Sequence, residues 1–127
     1  MSNYKKVELE YILRCSAPVL YTFLSTPSGL SEWFCDNVNI KNNNYFFFWN
    51  GGEEQAAQVV SKKENVFIRY RWEDDPKEKF LEFRIEIDDI TQEVALIITD
   101  FAEEGEEEEI RLYWDNEITS LHRVIGA

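Results

Sequence analysis

Few residues in this sequence have the types and spacing that polar catalysis needs. His122 is the one histidine, so a serine, histidine and acid relay, or a histidine metal cluster, could run only through it. On a helical wheel it falls about 80° from the centre of the apolar stripe, beside Ile118 and Arg111. That is a boundary position, without the assured polar partner of a general base. Asp100 and Asp115 are the acid pair to consider, yet no spacing forces them together. Cys15 and Cys35 form no CxxC, and no set of His and Cys has zinc spacing, so buried packing is their reading and neither metal nor cofactor is expected. Rings are what the chain holds in quantity: 9 Phe, 6 Tyr and 4 Trp. So many in a small domain either fill its interior or line an apolar pocket whose few polar contacts are Tyr hydroxyls and Trp indoles.

The element that must organise these rings is the last one. At about 100° per residue, Ile110, Trp114, Ile118, Leu121 and Ile125 share one side of a helix over 106–124, with Tyr113 and Val124 on a flank. Glu106 to Glu109 make its acidic first turn, opposing the positive end of the helix dipole, and Gly105 breaks it from the strand before. Upstream the chain reads mainly as strands. The expected architecture is therefore α+β, an antiparallel sheet of six or seven strands curled round the closing helix, with any cavity between the two.

The strands follow from alternation. Val7, Leu9, Tyr11 and Leu13 form the buried face of the first, over 6–14. Ser16 with Pro18, and Thr26 with Pro27, are cap-then-proline signals for two short helices over 18–24 and 27–34. A hairpin over 36–41 and 45–50 turns on Asn42-Asn43-Asn44. Its second arm, Tyr45 to Trp49, is aromatic on both faces and is expected to be covered on both sides or to line a cavity. After Gly51-Gly52 comes a strand over 54–61, then the clearest two, over 66–72 and 80–88. Their polar faces carry Arg69 and Arg71 opposite Glu82, Glu86 or Asp88, a charge pattern expected on solvated sheet surface. The last strand, over 94–101, is apolar on both faces, and its outer face offers a packing surface for a second copy of the chain.

With 127 residues the chain is read as one domain over 1–127. Its 44% hydrophobic content excludes disorder despite a net charge of −12. That charge argues against nucleic acid, since no basic face exists to meet phosphates. Without a signal peptide or an apolar run near the roughly 18 residues of a membrane span, a cytoplasmic protein with reduced thiols is expected.

The order of strand, two short helices, six antiparallel strands and long C-terminal helix resembles the START-like superfamily, also called SRPBCC or birch-pollen-allergen-like, whose fold is the helix grip. The segment Thr26-Pro27-Ser28-Gly29-Leu30-Ser31-Glu32-Trp33-Phe34 is similar to the second-helix signature of the branch related to the activator of heat-shock-protein ATPase. Trp114 through Leu121 resembles that branch's closing helix. The whole chain is similar to a group of small START-like proteins common in the Bacteroidetes. Because the cavity of such folds lies between helix and sheet, the resemblance implies Trp33, Phe34, Phe48, Tyr70, Trp72, Phe83, Trp114 and Ile118 as ligand-contacting positions. It implies non-enzymatic binding of a small hydrophobic or amphipathic molecule. Two other readings accompany it: a protein-interaction module with a filled cavity and a protein partner, as in the chaperone activator, and a cyclase or aromatase enzyme. The fold alone does not choose among them.

Overall fold

The structure is a computed structural model that describes residues 4–126. Seven strands form a single antiparallel sheet: β1 (Tyr4–Leu13), β2 (Asn37–Lys41), β3 (Asn44–Trp49), β4 (Glu53–Lys63), β5 (Phe67–Trp72), β6 (Leu81–Ile87) and β7 (Val94–Glu103). Their order across the sheet is β1-β7-β6-β5-β4-β3-β2, so the first strand pairs with the last, in register from Tyr4 opposite Glu103 to Leu13 opposite Val94. The helices are α1 (Ala17–Ser25), α2 (Pro27–Leu30) and α3 (Glu107–Ile125). α3 lies against β1 and β7, α1 against β5 and β6, and α2 against α1 and β2. Among the described residues no helix is long and apolar enough to cross a membrane.

Local chemistry accounts for each helix boundary. The Ser16 hydroxyl accepts from Val19 N and the Thr26 hydroxyl from Gly29 N, while proline occupies the first turn of both short helices, where its missing N–H costs nothing. α2 is shorter than its apolar pattern suggests. After Leu30 the amides of Phe34 and Cys35 both turn back to the Leu30 carbonyl, and the chain reaches β2 as a tight turn. Gly29 is required by proximity, because a Cβ there would lie 2.1 Å from the Thr22 carbonyl oxygen of α1. α3 starts with three glutamates in its first turn and ends at Gly126, whose left-handed backbone (φ 80°) lets its N–H reach the His122 carbonyl.

The inner face of the sheet carries the expected alternation: Val7, Leu9 and Leu13 on β1, Leu96 and Ile98 on β7, Leu81, Phe83 and Ile85 on β6, Ile68 and Tyr70 on β5. The outer face is less solvated than its charges imply. Glu82 is only 6% exposed, and both Arg69 (2.8 Å) and Arg84 (3.2 Å) pair with it. Each guanidinium also covers a ring, Arg69 over Phe80 and Arg84 over Phe67. β7 is a central strand, and much of its outer face is covered by the chain itself. Ala95 and Thr99 are buried, and Phe101 packs edge-on against Phe80 with centroids 5.0 Å apart.

Candidate functional site

The space between helix and sheet is occupied by rings. Phe34, delivered by the turn after α2, is their hub. It meets Trp33 (5.5 Å between centroids), Phe47 (5.4 Å), Trp49 (5.8 Å), Trp72 (6.4 Å) and Phe83 (6.2 Å), and lies parallel to Trp114 of α3 at 5.9 Å. Phe83 and Tyr70 complete the layer, with centroids 6.1 Å apart. Trp114, Tyr70, Phe47 and Phe83 are fully buried, so this region is packed core.

Most polar ends of these rings are spent inside the protein, that of Trp72 excepted. The Trp33 indole donates to the Phe23 carbonyl, the Tyr70 hydroxyl to Leu24 and the Tyr45 hydroxyl to Ser25. The amide and hydroxyl of Thr26 both donate to Thr22. The last four carbonyls of α1, which a helix cannot satisfy itself, thus each have a partner. The Trp49 indole donates to the Phe34 carbonyl, and the Trp114 indole to Asp100 Oδ2 at 2.9 Å.

Outside the packed layer a cleft of about 370 Å³ remains between α3 and the ends of the central strands. Phe34, Trp49 and Trp72 supply its apolar wall, Tyr113 and Glu117 come from α3, and Glu53, Gln55 and Asp100 come from the sheet. An adjoining hollow of about 280 Å³ shares Phe34, Trp49 and Glu117 and continues along α3 to Ser120 and Arg123. Burial raises the pKa of Asp100 above the usual carboxylate value, against hydrogen bonds from Trp114 and the Phe101 amide and the positive charge of Lys79; the charge of Asp75 adds to the rise. Burial likewise raises Glu117, partly offset by the Tyr113 hydroxyl. Tyr113 is itself raised, first by burial and then by the charge and hydrogen bond of Glu117. The cleft therefore holds hydrogen-bond acceptors on a ring-lined wall, with two carboxyl groups drawn toward neutrality. It contains no nucleophile paired with a base. Burial pushes the Cys35 thiol up to about 12, the state of an unreactive packed cysteine.

The expected contact residues divide accordingly. Phe34 and Trp72 line the cleft, and Trp33 lines the adjoining hollow. Tyr70, Phe83, Trp114 and Ile118 are in the core cluster. Phe48 does not belong with them. Strand alternation puts Tyr45, Phe47 and Trp49 on the helix-covered face and Phe46 and Phe48 on the other, and the ring contacts are made by Phe47. Asp100 and Asp115 end on separate partners, Asp100 on Trp114 and Asp115 on the Tyr11 hydroxyl (2.7 Å). His122 is half-buried and lines neither hollow. Reasoning from sequence missed Trp49, Glu53, Gln55, Tyr113 and Glu117. The i, i+4 spacing of Tyr113 and Glu117 on the flank of α3 was the available signal for the last two.

An antiparallel sheet closed by a C-terminal helix, with two short helices between its first two strands, defines the helix-grip class. The chain belongs to the START-like superfamily: the sequence model of the START-like superfamily domain matches residues 1–127. The solution NMR structure of BfR322 from Bacteroides fragilis is similar at 32% identity, covering 98% of this chain and 93% of that one, with a TM-score of 0.71. The solution structure of the Aha1 dimer from Colwellia psychrerythraea is similar at 16% identity, with 92% of each chain covered and a TM-score of 0.76. The crystal structure of MLL2253 from Mesorhizobium loti matches at 14% identity over 96% of this chain and 97% of that one, with a TM-score of 0.75. The last two likenesses speak to the fold alone. No curated protein matches the chain.

Proposed function

We propose that the protein binds a small amphipathic molecule in the mouth cleft between α3 and the sheet, without catalysing a reaction. The observation that carries this reading is the lining of the cleft, where the ring wall of Phe34, Trp49 and Trp72 converges with the polar groups of Asp100, Tyr113 and Glu117. The START-like fold is consistent with it. A deep interior ligand has less support, because the rings that would line an interior cavity are in contact with one another. The same packing counts against a cyclase, which needs room to fold a reactive chain.

A packed interior favours a second reading, a protein-docking module. Its outer face is less suited, since Ile12, Ala95 and Glu86 stand in one cross-strand row and Glu10, Ile97 and Arg84 in the next, interrupting every apolar stretch with charge. Pairing of two copies across β7 meets the same obstacle.

An environment-sensitive apolar dye tests the ligand reading. Saturable binding to the native protein is expected, weakened by Trp72→Ala and indifferent to Lys62→Ala, an exposed position on β4. Absence of saturable binding, or binding that ignores Trp72→Ala in a folded variant, would move the reading to the docking module.

A further inference from the structure

The donors and acceptors of the mouth cleft are unevenly available. Of the indoles at the cleft, Trp49 donates to a backbone carbonyl and the neighbouring Trp114 to Asp100, while that of Trp72 has no hydrogen-bond partner among the described residues. Trp49 and Phe34 therefore offer ring surface, the negative part of an aromatic quadrupole, and Trp72 offers a ring and its indole N–H. The charged side chains lining the cleft are Glu53, Asp100 and Glu117, with no Lys or Arg among them. Lys79, the cation whose field reaches Asp100, is held elsewhere, 3.6 Å from Asp75 and over the Tyr4 ring. Asp100 accepts one hydrogen bond on each oxygen, from Phe101 N and Trp114 Nε1, which leaves further lone pairs on both. A carboxylate or phosphate headgroup entering here would meet three acids and, as donors, only the neutral Gln55 amide and Trp72 indole. A group that brings positive charge and its own N–H donors would meet ring faces and acceptors together, the two features that attract an ammonium ion.

We propose that the cleft selects an organic cation: a small primary amine or ammonium with an aromatic or short alkyl body, its charge toward Asp100 and Glu117 and its apolar part on Trp49 and Trp72. This rests on the ligand reading above and names the chemical class of that ligand. Half-burial of both carboxyl groups suits the role, because an arriving cation supplies a full opposite charge beside groups whose partners are neutral donors.

The test uses three probes of nearly equal shape and different charge: 2-phenylethylamine, 2-phenylethanol and 3-phenylpropionate, each titrated into nitrogen-15-labelled protein while the four tryptophan indole signals are followed. The amine is expected to shift the Trp49 indole signal saturably, with about tenfold higher affinity than the alcohol, and the propionate to leave it unmoved. Glu117→Gln, and separately Asp100→Asn, should each cut the amine's affinity several-fold more than the alcohol's. Equal affinity for amine and alcohol, or stronger binding of the propionate, overturns the cation assignment and leaves a ligand site standing. If none of the three moves the Trp49 signal, the ligand reading itself falls.

Discussion

The Tyr70 hydroxyl on β5 donates a 2.6 Å hydrogen bond to the Leu24 carbonyl at the end of α1, across 46 residues of sequence. Both partners are shut off from water, Tyr70 at 1% and Leu24 at 0% exposure. Burial holds the phenol well above its ordinary pKa, so it stays a donor at any ordinary pH. Tyr70→Phe keeps the ring and strands the carbonyl. The expected loss is about 1–3 kcal/mol, the cost of a buried acceptor left without a partner. It should be read as a lower denaturant midpoint at unchanged slope. No change in midpoint would mean that water reaches Leu24.

Gly29→Ala should destabilise by a different route. The added methyl would collide with backbone, the Thr22 carbonyl oxygen at 2.1 Å and the Phe23 Cα at 2.6 Å, and no side-chain rotation relieves it. A loss of roughly 1–3 kcal/mol is expected, as for overpacking elsewhere. Since α2 carries the turn that places Phe34, the Trp49 and Trp72 signals should shift as well. A thermal midpoint within error of the native one would show that α1 and α2 can part freely.

Trp114→Ala removes the ring that lies parallel to Phe34 and the donor that holds Asp100. About 3–5 kcal/mol is expected, against a total rarely above about 15. His122→Ala, on the same helix but with no hydrogen bond to its imidazole among the described residues, should change the midpoint little. A large loss in His122→Ala would reveal a buried contact for that ring.

Stability should fall as the pH rises above the ordinary carboxylate range. Burial raises Asp100 and Glu117, so the folded chain binds their protons more tightly than the unfolded one. Stability from such groups is fully present below the unfolded value, about pH 4, and is lost as the pH climbs through the folded value. Asp100→Asn keeps an oxygen for the Trp114 indole, loses the acceptor for the Phe101 N–H and removes that group's titration. Relative to the native protein, the variant should gain stability as the pH rises from acid to neutral. A relative loss over that range would mean that ionised Asp100 is a net stabiliser through Trp114 and the Phe101 amide.

How much could be read in advance depended on whether a segment had one apolar face or two. β1, β5 and β6 each have one, and Val7, Leu9, Ile68, Tyr70, Phe83 and Ile85 are buried as alternation requires. The stripe of α3 predicted Trp114, Ile118 and Leu121 inward for the same reason. β3 is aromatic on both faces, and its phase was undetermined: Phe48 and Phe47 are equally hydrophobic neighbours, and only contact with Phe34 and Tyr70 selects Phe47.

The sequence by itself determined the architecture, because periodicity, caps and turn residues are local and each acts within a few positions. It also determined that rings would lie between helix and sheet. Whether those rings enclose a cavity or fill it was decided only by tertiary structure. That outcome depends on angles and distances among side chains from the turn after α2, from α3 and from three strands, β3, β5 and β6, such as the near-parallel Phe34 and Trp114. The same holds for the cleft, where Asp100 and Glu117 are surface-type residues in sequence. Packing alone gives them a shared wall of tryptophans and withdraws them far enough from water to raise their pKa.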